Sequence, residues 1–196
     1  MTQLLEDELS LSEERPGPAV IAVALVTAAC CLGFAVFNLW FEATGFLAVG
    51  PNAAYAEAFT VLNWLVVALK VIGAAAALGS VSGRPRGPLQ RLLGLTLWGA
   101  FGTLAIYSLG SVGQAVALLL GYLGGPGRLT PEALAYVLFF LLLATGFGVL
   151  AVSYRRRFRL RRWIPVLGFT AGPLVLLVVL LAVPALLAAL GVMPSV

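Results

Sequence analysis

Five stretches of this chain are each long enough and apolar enough to cross a lipid bilayer. A helix needs about 20 mostly apolar residues to span the roughly 30 Å hydrocarbon layer, and the span must be helical because lipid cannot hydrogen-bond an exposed backbone. The chain is 61% hydrophobic and only 10% charged, which excludes a water-soluble domain. We therefore predict an all-α fold, a polytopic integral membrane bundle with five transmembrane helices at about residues 18–41, 58–81, 92–115, 134–154 and 166–190.

The third stretch is ambiguous, because apolar sequence continues from Leu89 to Leu123 and fits either one long span or two short ones. The arginines decide between these alternatives. With one crossing, ten arginines fall on one side of the membrane and Arg128 alone on the other. With two crossings, the two arginine-rich loops fall on opposite faces, against the positive-inside rule. The charge distribution thus predicts one crossing, with the N-terminus in the cytoplasm and the C-terminus outside a cytoplasmic (inner) membrane.

The two ends of the chain differ in composition from the spans. Residues 1–17 carry five acidic side chains and one arginine before the Pro16-Gly17-Pro18 break, and they predict a short acidic cytoplasmic tail. A secretory signal would instead begin with a positive segment. The helix bundle then occupies residues 18–191, and residues 192–196 form a short external C-terminus.

Lys70 is the one charged residue inside a predicted span, where an ammonium is expensive and a functional role is the first hypothesis. In that interpretation it binds an anionic group or changes protonation. The alternative is structural: a hydroxyl or carbonyl of a neighbouring helix holds the ammonium, or the side chain extends toward the inner interface. Tyr107, at a similar depth in the third span, is a plausible hydroxyl partner.

Four further polar residues lie toward the outer ends of the first two spans: Asn38, Glu42, Glu57 and Asn63. Together they could line a shallow outward-facing pocket that leads to Lys70 and Tyr107. The alternative is again structural, with Asn38 and Asn63 hydrogen-bonded between helices and the two glutamates at the membrane surface. Glu57 and Lys70 are almost 20 Å apart along one helix, so they cannot form a direct pair there.

The densest charge follows the fourth span. Six arginines stand within eight residues, and such a cluster just inside a membrane attracts anionic lipid headgroups; they are Arg155, Arg156, Arg157, Arg159, Arg161 and Arg162. A loop this short, tethered at both ends, offers little surface to a nucleic acid. We therefore predict anionic lipid on the cytoplasmic side as the partner, and no nucleic acid.

The residue types needed for common chemistries are missing or badly spaced. The chain has no histidine, and its two cysteines, Cys30 and Cys31, are neighbours without metal-ligand spacing. Without a nucleophile beside a base or a nucleotide-binding motif, we predict no catalytic, cofactor or metal site. The prediction is a non-enzymatic structural or accessory membrane protein, which could bind a membrane-protein partner or form a homo-oligomer. The rival prediction is a small-solute or lipid-handling protein with an outward cavity leading to Lys70.

Small residues four apart predict close helix contacts in the membrane. Gly168 with Gly172 and Gly99 with Thr103 follow this spacing.

The chain resembles a family of small bacterial integral-membrane proteins that is known only as a domain of unknown function and usually has four spans. The similar segments are Trp64 to Val71 in the second helix, the Arg84-Pro85-Arg86 loop, and Leu97-Trp98-Gly99-Ala100 followed by Tyr107. The Trp40 end of the first helix and the Tyr154-Arg155-Arg156 exit of the fourth are also similar, so the match covers roughly residues 18–160. The resemblance implies a membrane-helix architecture and no particular activity, and the fifth span lies outside it.

Overall fold

The computed structural model describes residues 16–46, 49, 53, 56–83, 85 and 87–189. Most of the predicted acidic tail (residues 1–15), the predicted external C-terminus (192–196), Arg84 and Arg86 lie outside the described residues. The described part is all-α, and its helices are α1 (Pro18–Ala43), α2 (Ala56–Val81), α3 (Pro88–Leu119), α4 (Pro131–Arg157) and α5 (Trp163–Ala189), with a short 3-10 turn at Pro126–Arg128.

Each of the five helices is long and apolar enough to span a membrane, which confirms the prediction of five spans and of a multi-pass membrane protein. The ambiguous third stretch forms the single helix α3. This helix continues through Gly110 to Leu119, and the chain then turns at Gly121, whose φ of 84° suits a residue without a side chain.

Three helices begin with a proline in the first turn, after Gly17 in α1, Gly87 in α3 and Thr130 in α4. Proline is favourable there because its fixed φ matches the helix and its missing N–H would have had no intrahelical partner. The Thr130 hydroxyl also accepts a hydrogen bond of 3.2 Å from the Ala133 N–H, which caps α4.

Helices α1 and α2 bury mostly small residues, and large apolar side chains cover the outside of the bundle. The buried positions of α1 and α2 are mostly alanine, glycine and cysteine, among them Ala24, Ala28, Cys31, Ala74 and Ala77. Leucine, valine and isoleucine side chains along the outer faces, such as Leu109 and Val178, are more than half exposed. This inside-out size distribution suits a lipid solvent, in which close backbone packing drives helix association and the exposed apolar surface costs nothing.

Helix α4 is the central element, and it packs against α1 and α3. Its buried residues follow one another at helical spacing and include the largest side chains of the core, listed as Phe140, Leu143, Ala144, Phe147, Leu150, Ala151 and Tyr154. Helix α1 packs mainly against α2, and α5 packs mainly against α3, so α4 joins the two pairs.

The α3–α5 crossing depends on glycine. A Cβ atom added to Gly172 would lie 2.5 Å from the Gly99 Cα, and one added to Gly168 would lie 3.0 Å from the Leu95 carbonyl oxygen. The two backbones therefore touch directly. The small-residue spacing of Gly168 and Gly172 thus corresponds to a real helix contact in the structure.

Candidate functional site

An aromatic cluster lies in the membrane-spanning part of the bundle, where α1, α3 and α4 meet. Phe34 of α1 packs edge-on against Phe140 of α4, with 5.8 Å between ring centroids. Tyr107 of α3 lies 4.7 Å from the same Phe140 ring, and Tyr136 lies 5.1 Å from it. Phe140 is thus the centre of the cluster, and it is buried.

Helix α2 inserts the side chain of Lys70 into this cluster. The Lys70 Nζ lies 4.8 Å from the centroid of the Phe34 ring and 4.9 Å from that of Phe140. Both distances are within the range of a cation–π interaction, which becomes stronger where water is excluded. The charged end of a half-buried side chain therefore meets two ring faces contributed by two other helices.

The sequence predicted either a functional Lys70 that binds an anion or changes protonation, or one held by a hydroxyl or carbonyl. Neither prediction includes the two ring contacts. The Tyr107 ring, expected as a hydroxyl partner, packs against Phe140 and is 48% exposed. Phe34 and Phe140, which contact the ammonium, are not among the groups predicted from the sequence, which were a hydroxyl or carbonyl of a neighbouring helix. An aromatic residue at matching depth on another span is the signal that could have indicated them.

A separate polar group ties the C-terminal part of α1 to the N-terminal part of α2. The Asn63 Nδ2 donates hydrogen bonds of 3.0 Å to the Asn38 carbonyl oxygen and 3.3 Å to the Glu42 Oε2. The Asn38 Nδ2 in turn donates a 2.9 Å bond to the Phe34 carbonyl oxygen within its own helix. Asn63 is buried, so its amide has exchanged water for these two acceptors.

The six polar residues that could have lined one cavity therefore lie in different parts of the bundle. Asn38, Glu42 and Asn63 form the hydrogen-bonded group, whereas Lys70 and Tyr107 both contact Phe140. Lys70 follows Asn63 by seven residues, or about 10 Å along α2. Glu57 is exposed in the first turn of α2, about 9 Å along the helix from Asn63.

The six arginines in the last turn of α4 and just after it differ in their surroundings. Arg157 donates a hydrogen bond from Nη2 to the Ser80 carbonyl oxygen near the end of α2, and its guanidinium lies 4.6 Å from the Phe158 ring centroid. Its Nε is buried and has no hydrogen-bond partner among the described residues. Arg155 is half-buried, and the exposed ones are Arg156, Arg159, Arg161 and Arg162.

Two further hydrogen bonds hold the same end of α4. The Tyr154 hydroxyl donates a 3.3 Å bond to the Gln90 carbonyl oxygen at the start of α3, and the Gln90 Nε2 donates a 3.4 Å bond to the Phe158 carbonyl oxygen. Tyr154 is almost completely buried. Arg157 and Tyr154 therefore join the end of α4 to α2 and α3.

Within the described ranges, no group of three or more histidine, cysteine, aspartate or glutamate side chains could hold a metal ion. Comparisons of the chain with protein-family models, with curated proteins and with solved structures give no match.

Proposed function

We propose that this chain is a non-catalytic structural or accessory protein of the cytoplasmic membrane. The observation that carries the proposal is the packing of Lys70, the one lysine of the chain, against Phe34 and Phe140. An ammonium that serves transport or catalysis needs access to water or to a ligand. The Lys70 ammonium instead contacts the ring faces of Phe34 and Phe140 on two neighbouring helices. Such a contact links helices, which is a structural task.

The polar group at Asn63 supports the same conclusion. Its amide bonds to α1 in place of water, so it also links helices. Interhelical hydrogen bonds of this kind are a common form of stabilisation in membrane bundles. An accessory role then depends on the outer surface of the bundle, which would contact another membrane protein or a second copy of the chain, and on lipid.

We propose that the arginine-rich end of the bundle faces the cytoplasm, so that the N-terminus is inside and the C-terminus outside. The support is the excess of arginine beside α1, α2 and α4 over the single Arg128 at the opposite end. Reporter proteins fused to the two ends test this orientation. We expect a reporter that is active only in the cytoplasm to work at the N-terminus and one that is active only outside to work at the C-terminus. Activity of the same reporter at both ends would contradict the odd number of crossings.

Because the chain contains a single lysine, water access to Lys70 can be tested on the native sequence. Intact vesicles holding the protein in both orientations are treated with a water-soluble acylating reagent that modifies amines, and the sites are mapped by mass spectrometry. We expect Lys70 to remain unmodified until the bundle is unfolded in SDS, because its amine packs on two rings within the membrane-spanning part of the bundle. A Glu57→Lys variant supplies the matched control, since position 57 is exposed on the same helix.

Equal rates of acylation at positions 57 and 70 would overturn the proposal. They would show that water reaches Lys70 from one side, and they would favour the rival function, a small-solute or lipid-handling protein with an outward cavity.

A further inference from the structure

An open groove lies between the start of α1 and the last three turns of α4, at the arginine-rich end of the bundle. Its volume is about 770 Å³. Pro16, Gly17 and Val20 line it on the α1 side, and a stretch of α4 that ends at Arg157 lines the other side.

The α4 side of the groove is apolar toward the membrane and cationic at its mouth. Val149, Val152, Ser153 and Arg156 all line it, and their spacing of three, one and three residues places them on one face of the helix. Val149 and Val152 are each about two-fifths exposed. A molecule that fills the whole groove must therefore carry hydrocarbon at one end and an anion at the other.

Two features add positive charge at the mouth. Helix α1 begins beside it, with Gly17 as its N-cap residue, so the positive end of the helix dipole lies at the groove. Arg157 lines the same groove and adds a second guanidinium beside that of Arg156.

We propose that this groove binds one anionic phospholipid. Its phosphate lies between Ser153, Arg156 and the start of α1, and one acyl chain follows Val149 and Val152 into the bilayer. Charge complementarity and the position of the groove at the ends of two spans both favour a lipid over a soluble anion. The exposed Arg161 and Arg162 attract anionic lipid in a general way, but they do not line the groove and are not part of this site. The proposal depends on the proposed orientation of the spans in one respect only: that orientation assigns the bound lipid to the cytoplasmic leaflet.

Native mass spectrometry of the purified full chain in a neutral detergent measures the binding. Phosphatidylglycerol and phosphatidylcholine with identical acyl chains are titrated against the wild type, and glycerol phosphate serves as the headgroup without hydrocarbon. We expect a single tight phosphatidylglycerol site, weaker phosphatidylcholine binding and no measurable glycerol phosphate binding. Equal affinity for the two lipids, or saturable binding of glycerol phosphate at the same concentration, would overturn the proposal, the latter in favour of a soluble phosphate site.

Two pairs of variants locate the site. Arg156→Gln should weaken phosphatidylglycerol binding about fivefold, as expected for one charge near the headgroups. The matched control Arg162→Gln makes the same charge change outside the groove and should alter the affinity less than twofold. Val152→Trp should fill the apolar part and weaken binding of both lipids, whereas Val178→Trp on the exposed face of α5 should not. Equal losses within either pair would show a non-specific surface effect and reject the site.

The acidic tail is the competing occupant, and a variant tests it directly. If wild-type protein binds no phosphatidylglycerol and the Glu13→Gln, Glu14→Gln variant does, the tail rather than lipid occupies the groove and the proposal is wrong. The lipid-binding measurements test the groove independently of the proposed function, because acylation of Lys70 reports on a different part of the bundle. Failure of lipid binding with an unreactive Lys70 would leave the accessory function standing, and the reverse result would leave the lipid site standing.

Discussion

The ammonium of Lys70 on α2 lies 4.9 Å from the ring centre of Phe140 on α4. The ring of Phe34 on α1 lies at nearly the same distance, 4.8 Å, so one side chain joins three helices. A lysine at the centre of a membrane helix costs roughly 2.5–3.5 kcal/mol in insertion experiments. A desolvated cation–π contact contributes about 2 kcal/mol, so two rings offset much of this cost without a carboxylate.

The contact between Lys70 and Phe140 predicts a measurable coupling in a double-mutant cycle. Lys70→Met keeps the shape of the side chain and should leave the free energy of unfolding unchanged or slightly higher, because removing the buried charge compensates for the lost ring contacts. Phe140→Leu should destabilise the bundle in both backgrounds, but by about 1–2 kcal/mol more when Lys70 is present. Unfolding in mixed SDS and neutral detergent measures the four variants.

Strict additivity in this cycle, within about 0.5 kcal/mol, would show that the rings do not stabilise the ammonium. Phe147→Leu provides the control for loss of a buried ring, since Phe147 is also buried in α4 and contacts no charge in the described part of the chain. Its cost should be the same with Lys70 or with Met at position 70.

The number of spans could be predicted from the sequence because bilayer thickness fixes the length of an apolar helix. Gly168 and Gly172 could be predicted as a contact for a similar reason, since their spacing suits backbone approach. The partners of Lys70 could not, because the inner and outer faces of these helices are both apolar. Leu109 on the outside and Leu97 on the inside of α3 are the same residue type. Without a polar face to mark the exposed side, the pattern does not tell which helices are neighbours.

Polar contacts between consecutive helices could be predicted from the sequence, whereas contacts between distant helices could not. One of the two alternatives for Asn38 and Asn63 is a hydrogen bond between helices, and a chain reversal between α1 and α2 brings them together whatever the rest of the bundle does. The bond goes to the Asn38 backbone rather than its side chain. Contacts such as Arg157 with Ser80 depend instead on how α4 packs beside α2, 77 residues away in sequence, and that packing is set by the whole core.

Gly172→Ala should destabilise the crossing between α3 and α5. The added Cβ would lie 2.5 Å from both the Cα and the carbonyl oxygen of Gly99, so the two helices must separate. We expect the free energy of unfolding to fall by about 1–3 kcal/mol, as for overpacking in a core, and this appears as a lower midpoint of thermal unfolding.

The matched control is Gly110→Ala in α3, where the added Cβ meets nothing within 4 Å. That change should stabilise the helix by about 0.5–1 kcal/mol. Equal effects of the two substitutions would exclude the close crossing.

Asn63→Leu tests the hydrogen-bonded group that ties α1 to α2. It removes both interhelical bonds of the amide and leaves the Asn38 carbonyl and the Glu42 carboxylate without this donor. Interhelical hydrogen bonds in membranes contribute about 0.6 kcal/mol on average and up to about 1.7, so we expect a loss of about 1–2 kcal/mol in the free energy of unfolding. Thr145→Val is the control, since that hydroxyl bonds only to the Leu141 carbonyl of its own helix, at 2.8 Å. A cost for Asn63→Leu no greater than that of Thr145→Val would mean that the bonds do not hold the helices together.

Arg157→Gln should destabilise the bundle although it removes only one of six clustered arginines. Arg157 donates to the Ser80 carbonyl and lies over the Phe158 ring, so its loss separates α4 from the end of α2. A hydrogen bond from a charged donor contributes about 1.5–3 kcal/mol, and we expect a decrease of that size in the free energy of unfolding.

Arg162→Gln makes the same charge change at an exposed position and should be within about 0.5 kcal/mol of wild type. Because five arginines remain in either variant, the orientation of the spans should not change, so a difference between the two reports on packing. If both variants were as stable as wild type, the arginines would act only through the membrane surface, and Arg157 would have no structural role.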